Sequence, residues 1–389
     1  MPDLTSLFII AGILFGLLAG DAAIYGDTLR VQIAVAQSLH NAGFTEASAE
    51  SVFMAEAARI VRGVSIIPVP SLRVNSSPSV ITALAKPLNL DTVVAAMQNQ
   101  LGIDHLQVSC ALLTEVDSNK GATGGAVRPL TPGKLDMIVV VVQPRRTPVQ
   151  TVLEQPDGDV TALVKRGAGW AMEQVSPFRV VLAHFIAGVA GDVEELPLAR
   201  SAADRFLHKP WDPTRASERA LTRNVLALIA LLDNKLADAE QQLVMAEATP
   251  DVLPQAQAEI ALNRSFLAVT QKRPDEAARL LALSREQSEQ VDLPGFGTQL
   301  DLQEGLIAWS SGRPKDAEEK FRQVIAAEPN SETAHHYLAQ LLATTGDAAG
   351  AASEQKAEGV SHRFDIRSQD LAVVLFWTDP VNGGVTRRE

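Results

Sequence analysis

Small residues recur at a fixed interval in the second half of the chain, and that recurrence limits the possible folds more than any other feature. Gly305, Gly312 and Ala317 fall on Ala339, Gly346 and Ala351 after a shift of 34 residues. Pro274 and Ala277 align with Pro314 and Ala317 at a spacing of 40, and Ala239, Leu243 and Ala246 continue the series 38 residues further back. The clearest copy, SGRPKDAEEKFRQVIAAEP, reads as a Gly turn, an amphipathic helix and a Pro stop. A short unit copied in series cannot bury its apolar face alone, so the copies must stack on one another. Small residues in register mark the places where helices cross too closely for a larger side chain. The alternative is an ordinary helical bundle in which the alignment is accidental.

The pattern resembles the tetratricopeptide repeat, a helix-turn-helix unit of about 34 residues. Four units fit, at 220–253, 258–291, 298–331 and 332–365. Gly305, Ala317, Phe321 and Pro329 carry the match in the third, Ala227, Ala239, Leu243 and Ala246 in the first, and Ser265, Ala277, Leu281 and Ser284 in the second. The fourth departs from the pattern at Gln355 and Glu358, as suits a terminal unit facing water. The resemblance implies a solenoid whose first helices line a groove for a protein partner. Transferred position by position, it puts Leu262, Phe266 and Val269 of the second unit in that groove, with Leu302, Leu306 and Trp309 of the third and His336 and Gln340 of the fourth. Such a groove is mostly apolar, so the ligand implied is an apolar or helical segment. Either the linker that precedes the repeats or the tail LAVVLFWTDP could cover it instead.

The first residues are apolar in a different way. Leu4 to Gly20 is an uncharged run of 17 residues between Asp3 and Asp21. At 1.5 Å per residue it spans about 25 Å, close to a hydrocarbon core of ~30 Å. The expectation is a single-pass bacterial membrane protein, with residues 1–27 as anchor. A cleaved signal peptide or a buried helix are the other readings, and the signal peptide lacks basic residues because no Lys or Arg precedes Arg30. That lone Arg30 leans the body towards the cytoplasm.

Between the run and the repeats the periodicity changes. TLRVQIAVA (28–36), HLQVSCALLTEV (105–116) and LDMIVVVVQP (135–144) alternate or are β-branched and read as strands. TEASAESVFMAEAARIVR, with Thr45 as N-cap, and LDTVVAAMQNQLG read as helices, and a pair of helices broken at Pro177 follows. Residues 28–190 are therefore expected to form a small α+β domain, 191–219 a linker, 220–365 an all-α helical solenoid, and 366–389 a capping segment and tail. The loop 114–134 contains GATGG but no Lys that would complete a phosphate cradle.

Composition narrows the function. A net charge of −12 argues against a nucleic-acid partner. Cys110 is the only cysteine, so the chain forms no internal disulfide and no thiolate cluster. There is no G-x-S-x-G elbow and no H-E-x-x-H. The adjacent His335 and His336 would point about 100° apart on a helix and cannot chelate one metal. His184 is expected as a core or interface histidine, and Glu194 with Glu195 as a solvated turn. No cofactor or metal is expected. The sequence favours a membrane-anchored, non-catalytic adaptor that binds a protein through the repeat groove. A ligand sensor or enzyme acting through the 28–190 domain is the alternative.

Overall fold

The computed structural model describes residues 28–61, 73–74, 106–114, 135–143, 146–192, 194–291, 293, 295–358 and 375–387. The chain divides into two compact units, with the break between Ser176 and Pro177. The second unit thus begins at Pro177, inside the range 28–190 expected for the α+β domain, because Pro177 opens a helix that packs with the residues after it.

In the first unit β1 (Thr28–Val35) is followed by α1 (Gln37–Asn41) and α2 (Glu46–Val61), then β2 (Arg73–Val74), β3 (Leu106–Thr114), β4 (Leu135–Val142), β5 (Val149–Gln155) and α3 (Val160–Val175). The strands form one sheet in the order β2-β1-β3-β4-β5. β1 runs parallel to β2 and β3, and β4 and β5 turn back antiparallel. Thr45 accepts a hydrogen bond from the Ser48 amide at 3.2 Å and so opens α2 as its sequence suggests.

Alternation places Val31, Ile33, Val108, Cys110, Met137 and Val139 on one sheet face, all buried. Phe53 and Ile60 of α2 and Leu163, Ala168 and Met172 of α3 are buried with them. α3 can approach because residue 167 is glycine: a Cβ there would lie 2.5 Å from Met137 Sδ. The expected helix in LDTVVAAMQNQLG and the GATGG loop lie outside the described residues.

The second unit begins with α4 (Pro177–Val189) and α5 (Glu195–Leu207), and a 3-10 turn (Pro213–Arg215) leads on. Four further helix pairs follow: α6 (Ala216–Leu232) with α7 (Leu236–Glu247), α8 (Pro254–Thr270) with α9 (Pro274–Glu289), α10 (Phe296–Ser310) with α11 (Pro314–Ala327), and α12 (Glu332–Thr345) with α13 (Ala348–Glu358). A short antiparallel hairpin, β6 (Phe376–Thr378) and β7 (Val385–Arg387), follows them. The expected linker 191–219 is largely α5, so one more hairpin precedes the four inferred from the repeat.

The turns explain the repeat. Asn234, Lys272, Gly312 and Gly346 each adopt a left-handed conformation, with φ of 57°, 59°, 74° and 92°. At each, the next amide returns to a carbonyl five residues back: Lys235 to Ala230, Arg273 to Ala268, Arg313 to Ala308 and Asp347 to Leu342. This is the helix C-cap that satisfies orphan carbonyls and reverses the chain. Gly191, with Asp192 bonding Ala187, does the same between α4 and α5.

The expectation of a single-pass membrane protein is corrected. Among the described residues no helix is long and apolar enough to cross a membrane. The longest, α6 and α8, have 17 residues each and carry Arg219, Arg223, Glu259 and Arg264. The run 4–20 lies outside the described residues.

Candidate interaction surface

The face built by the first helices α6, α8, α10 and α12 is where the resemblance places a ligand. Of the eight residues assigned to it, Leu262, Phe266, Val269, Leu302, Leu306 and Trp309 are buried. His336 is half-buried and Gln340 is exposed. In the folded chain those six side chains are covered and do not line an open groove.

Part of that face is covered by the tail hairpin. Leu375, Phe376 and Thr378 are buried. The Thr378 amide donates to Tyr337 Oη at 3.1 Å, and Tyr337 itself is fully buried. The Trp377 ring stacks on His336 with centroids 3.6 Å apart and planes 17° from parallel. At the other end the Thr378 and Thr270 hydroxyls lie 3.1 Å apart, and the Gly384 amide donates to the Thr270 carbonyl at 3.1 Å. The hairpin thus ties the end of α8 to the first half of α12, and β7 also lies against α6.

Glycine is required at this contact. Gly383 has φ +77°, and a Cβ there would stand 2.8 Å from the Thr270 carbonyl oxygen. The turn before it is held by Asp379, whose carboxylate accepts from the Val381 and Asn382 amides at 2.9 and 2.8 Å and from Asn382 Nδ2 at 2.9 Å. Burial pushes the Asp379 carboxyl up, but these donors, with Lys272 beyond them, hold it below the usual carboxylate range.

His336 is fixed on all sides. Its Nδ1 pairs with Glu358 Oε1 at 2.8 Å, and Gln340 Nε2 donates to its Nε2 at 2.8 Å. His335 points elsewhere, to Glu354 at 2.6 Å and the Pro329 carbonyl at 3.0 Å, and pins α12 to α13. Behind the surface an aromatic series runs from Trp309 through Phe321 and Tyr337 to Trp377.

Deeper in the array the Asn224 amide donates to Glu259 Oε1 at 2.6 Å, and Asn263 donates to Asn224 Oδ1 at 2.8 Å. Gln303 donates to Ser265 Oγ at 3.0 Å. These groups are buried and link α6, α8 and α10.

Elsewhere, His184 hydrogen-bonds Glu195, so that glutamate ties α5 to α4 and is not a solvated turn. Cys110 is buried, and burial pushes its thiol up to about 12. A depression between α9, α10 and α11 has Leu281 and Ile307 in its floor. Its cations are matched there: Lys320 and Arg285 each reach Glu304 at 3.1 Å. Among the described residues no group of three His, Cys, Asp or Glu could hold a metal ion.

No family model and no curated protein matches the chain. A solved structure titled "Functional Characterization of Pseudomonas Aeruginosa pilF" is similar at 16% sequence identity, with a TM-score of 0.38 over 51% of this chain and 81% of that one. So loose a likeness says nothing about what either chain binds. The hairpin series and its caps stand on the geometry of this chain alone.

Proposed function

We propose that the helical array is a non-catalytic interaction scaffold, and that the first-helix face between Thr270 and His336 takes an extended protein segment. The observation that carries this reading is the seated hairpin. The hairpin lies on that face through the Thr378 amide of β6 on Tyr337, the Gly384 amide of the turn on Thr270, and one stacked aromatic ring. Main-chain bonds give such a surface affinity and the aromatic pocket gives it selectivity. The expected apolar ligand therefore becomes an extended segment with an aromatic residue, because the buried leucines are spent on the array's own packing.

The test is photo-cross-linking from the intact chain. A cross-linkable residue at exposed Gln340, beside His336, is expected to capture a protein. One at Val244, 44% exposed on α7, is expected to capture none. Equal capture from both positions would overturn the assignment of the face.

A further inference from the structure

We propose that the tail hairpin 375–387 is a tethered internal ligand that gates the first-helix face. An incoming segment would have to present the order aromatic, aromatic, hydroxyl seen in Phe376, Trp377 and Thr378 to displace it. This rests on the scaffold reading and adds to it both a ligand chemistry and a control.

The hairpin makes the contacts of a bound peptide rather than those of a core strand. Among the described residues β6 pairs with β7 alone and the hairpin joins no larger sheet. Its anchors are Leu375 and Phe376, both buried, Trp377 stacked on His336, Thr378 bonded through its amide to Tyr337 and placed beside Thr270, and the Gly384 amide on the Thr270 carbonyl. Trp377 remains partly open, as does its turn, where Val381 is 54% exposed. A competitor can therefore approach from the tip.

Residues 359–374 join α13 to the hairpin, so the hairpin is a ligand on a tether of 16 residues. Joined to the array by the same chain, the hairpin has an effective concentration on the order of 1 mM. A rival segment must compete with that concentration, and its apparent affinity falls in proportion to how firmly the hairpin is seated.

Gly383 provides the means to unseat the hairpin without altering the face. Gly383→Ala places a Cβ 2.8 Å from the Thr270 carbonyl at a strained φ of +77° and changes no residue of α8 or α12. Trp377→Ala removes the stack on His336 from the ligand side as a second variant. The probe is a fluorescein-labelled synthetic peptide of residues 375–387, titrated by anisotropy into the intact wild-type and variant chains. Hydrogen exchange of 376–378 reports whether the hairpin is released.

Release with at least tenfold tighter peptide binding in both variants, lost when the peptide's own Trp is replaced by Ala, is the expected result. Release with equal binding in wild type and variants would overturn the gate and leave the scaffold reading standing. Release with no binding to any chain would overturn both. A variant that dimerises in sedimentation as its hairpin is released would assign the face to the hairpin of a second copy and overturn the gate within one chain.

Discussion

Gly305 of α10 lies against the ring of Phe321 on α11 so closely that a Cβ at 305 would stand 2.5 Å from its Cε1 atom. Phe321 is fully buried, stacks on Tyr337 at 5.8 Å and meets Trp309 edge-on at 6.5 Å, so it has no direction in which to retreat. Gly305→Ala is therefore expected to destabilise the array by about 1–3 kcal/mol, and Ala317→Leu at the same crossing by a similar amount. Thermal denaturation of the intact chain followed by circular dichroism checks both. An unchanged midpoint for Gly305→Ala would mean that the crossing is looser than its contacts imply.

Phe266 separates an open groove from a filled one. If it lined an open surface, Phe266→Ala would weaken binding and spare the fold. Because it is fully buried, the substitution is expected to cost about 3–5 kcal/mol of stability, while Gln340→Ala stays within roughly 0.5 kcal/mol of wild type. Urea midpoints of the two variants decide it.

The repeat was legible wherever its turn needed a glycine. Gly312 and Gly346 occupy the left-handed cap at one period, and Pro254, Pro274 and Pro314 open the helices, where a missing N–H costs nothing. The same cap is made by Asn234 and Lys272, so two turns carry no glycine signal, and the caps themselves stand 38 and then 40 residues apart before the interval of 34. The α4–α5 hairpin escaped notice because its polar stretch around Glu194 looks like a loop until His184 is seen to hold Glu195. β5 was missed for a related reason: at the sheet edge, Val149 and Val152 stay exposed and the strand loses its alternation. The tail LAVVLFWTDP was legible as a possible cover for the face, but its hairpin and its anchors were not. Its contacts join residues about a hundred positions apart, Thr270 with Thr378, and only the fold brings them together.

Glu259 supplies a prediction about the buried polar chain. Its Oε1 is the acceptor for Asn224 in a site with no solvent exposure. Glu259→Leu fills the volume but orphans that amide, for an expected loss of about 1–3 kcal/mol. Glu259→Gln retains the oxygen and is expected to lose less than half as much. Urea denaturation with an unchanged slope is the measurement. Equal losses would show that the charge, and not the acceptor, is what the site needs.

Cys110 faces the sheet core, and its thiol is pushed up to about 12 by burial. The thiolate is the reactive form, so almost none exists at pH 8. Intact protein is expected to leave a thiol-reactive disulfide reagent unconsumed for hours and to take up one equivalent once denatured, because Cys110 is the only cysteine. Stoichiometric reaction of the native chain within minutes would mean that the α2–α3 layer opens readily.

Acid should loosen the tail hairpin from the array. The Asp379 carboxyl is held below its ordinary range in the folded chain, so its ionised form favours the turn at neutral pH. That contribution is present above the ordinary carboxylate pKa and is lost as the pH falls through the lowered one. Protonation removes the charge from an oxygen that accepts two amides, Val381 and Asn382, and weakens both bonds. In wild type the amide resonances of Val381 and Asn382 are therefore expected to shift together below about pH 4, the ordinary carboxylate range. In Asp379→Asn they should stay constant over the same range, since the side chain keeps its oxygen and has nothing to titrate. If the variant follows wild type through the transition, the acid-sensitive group lies elsewhere.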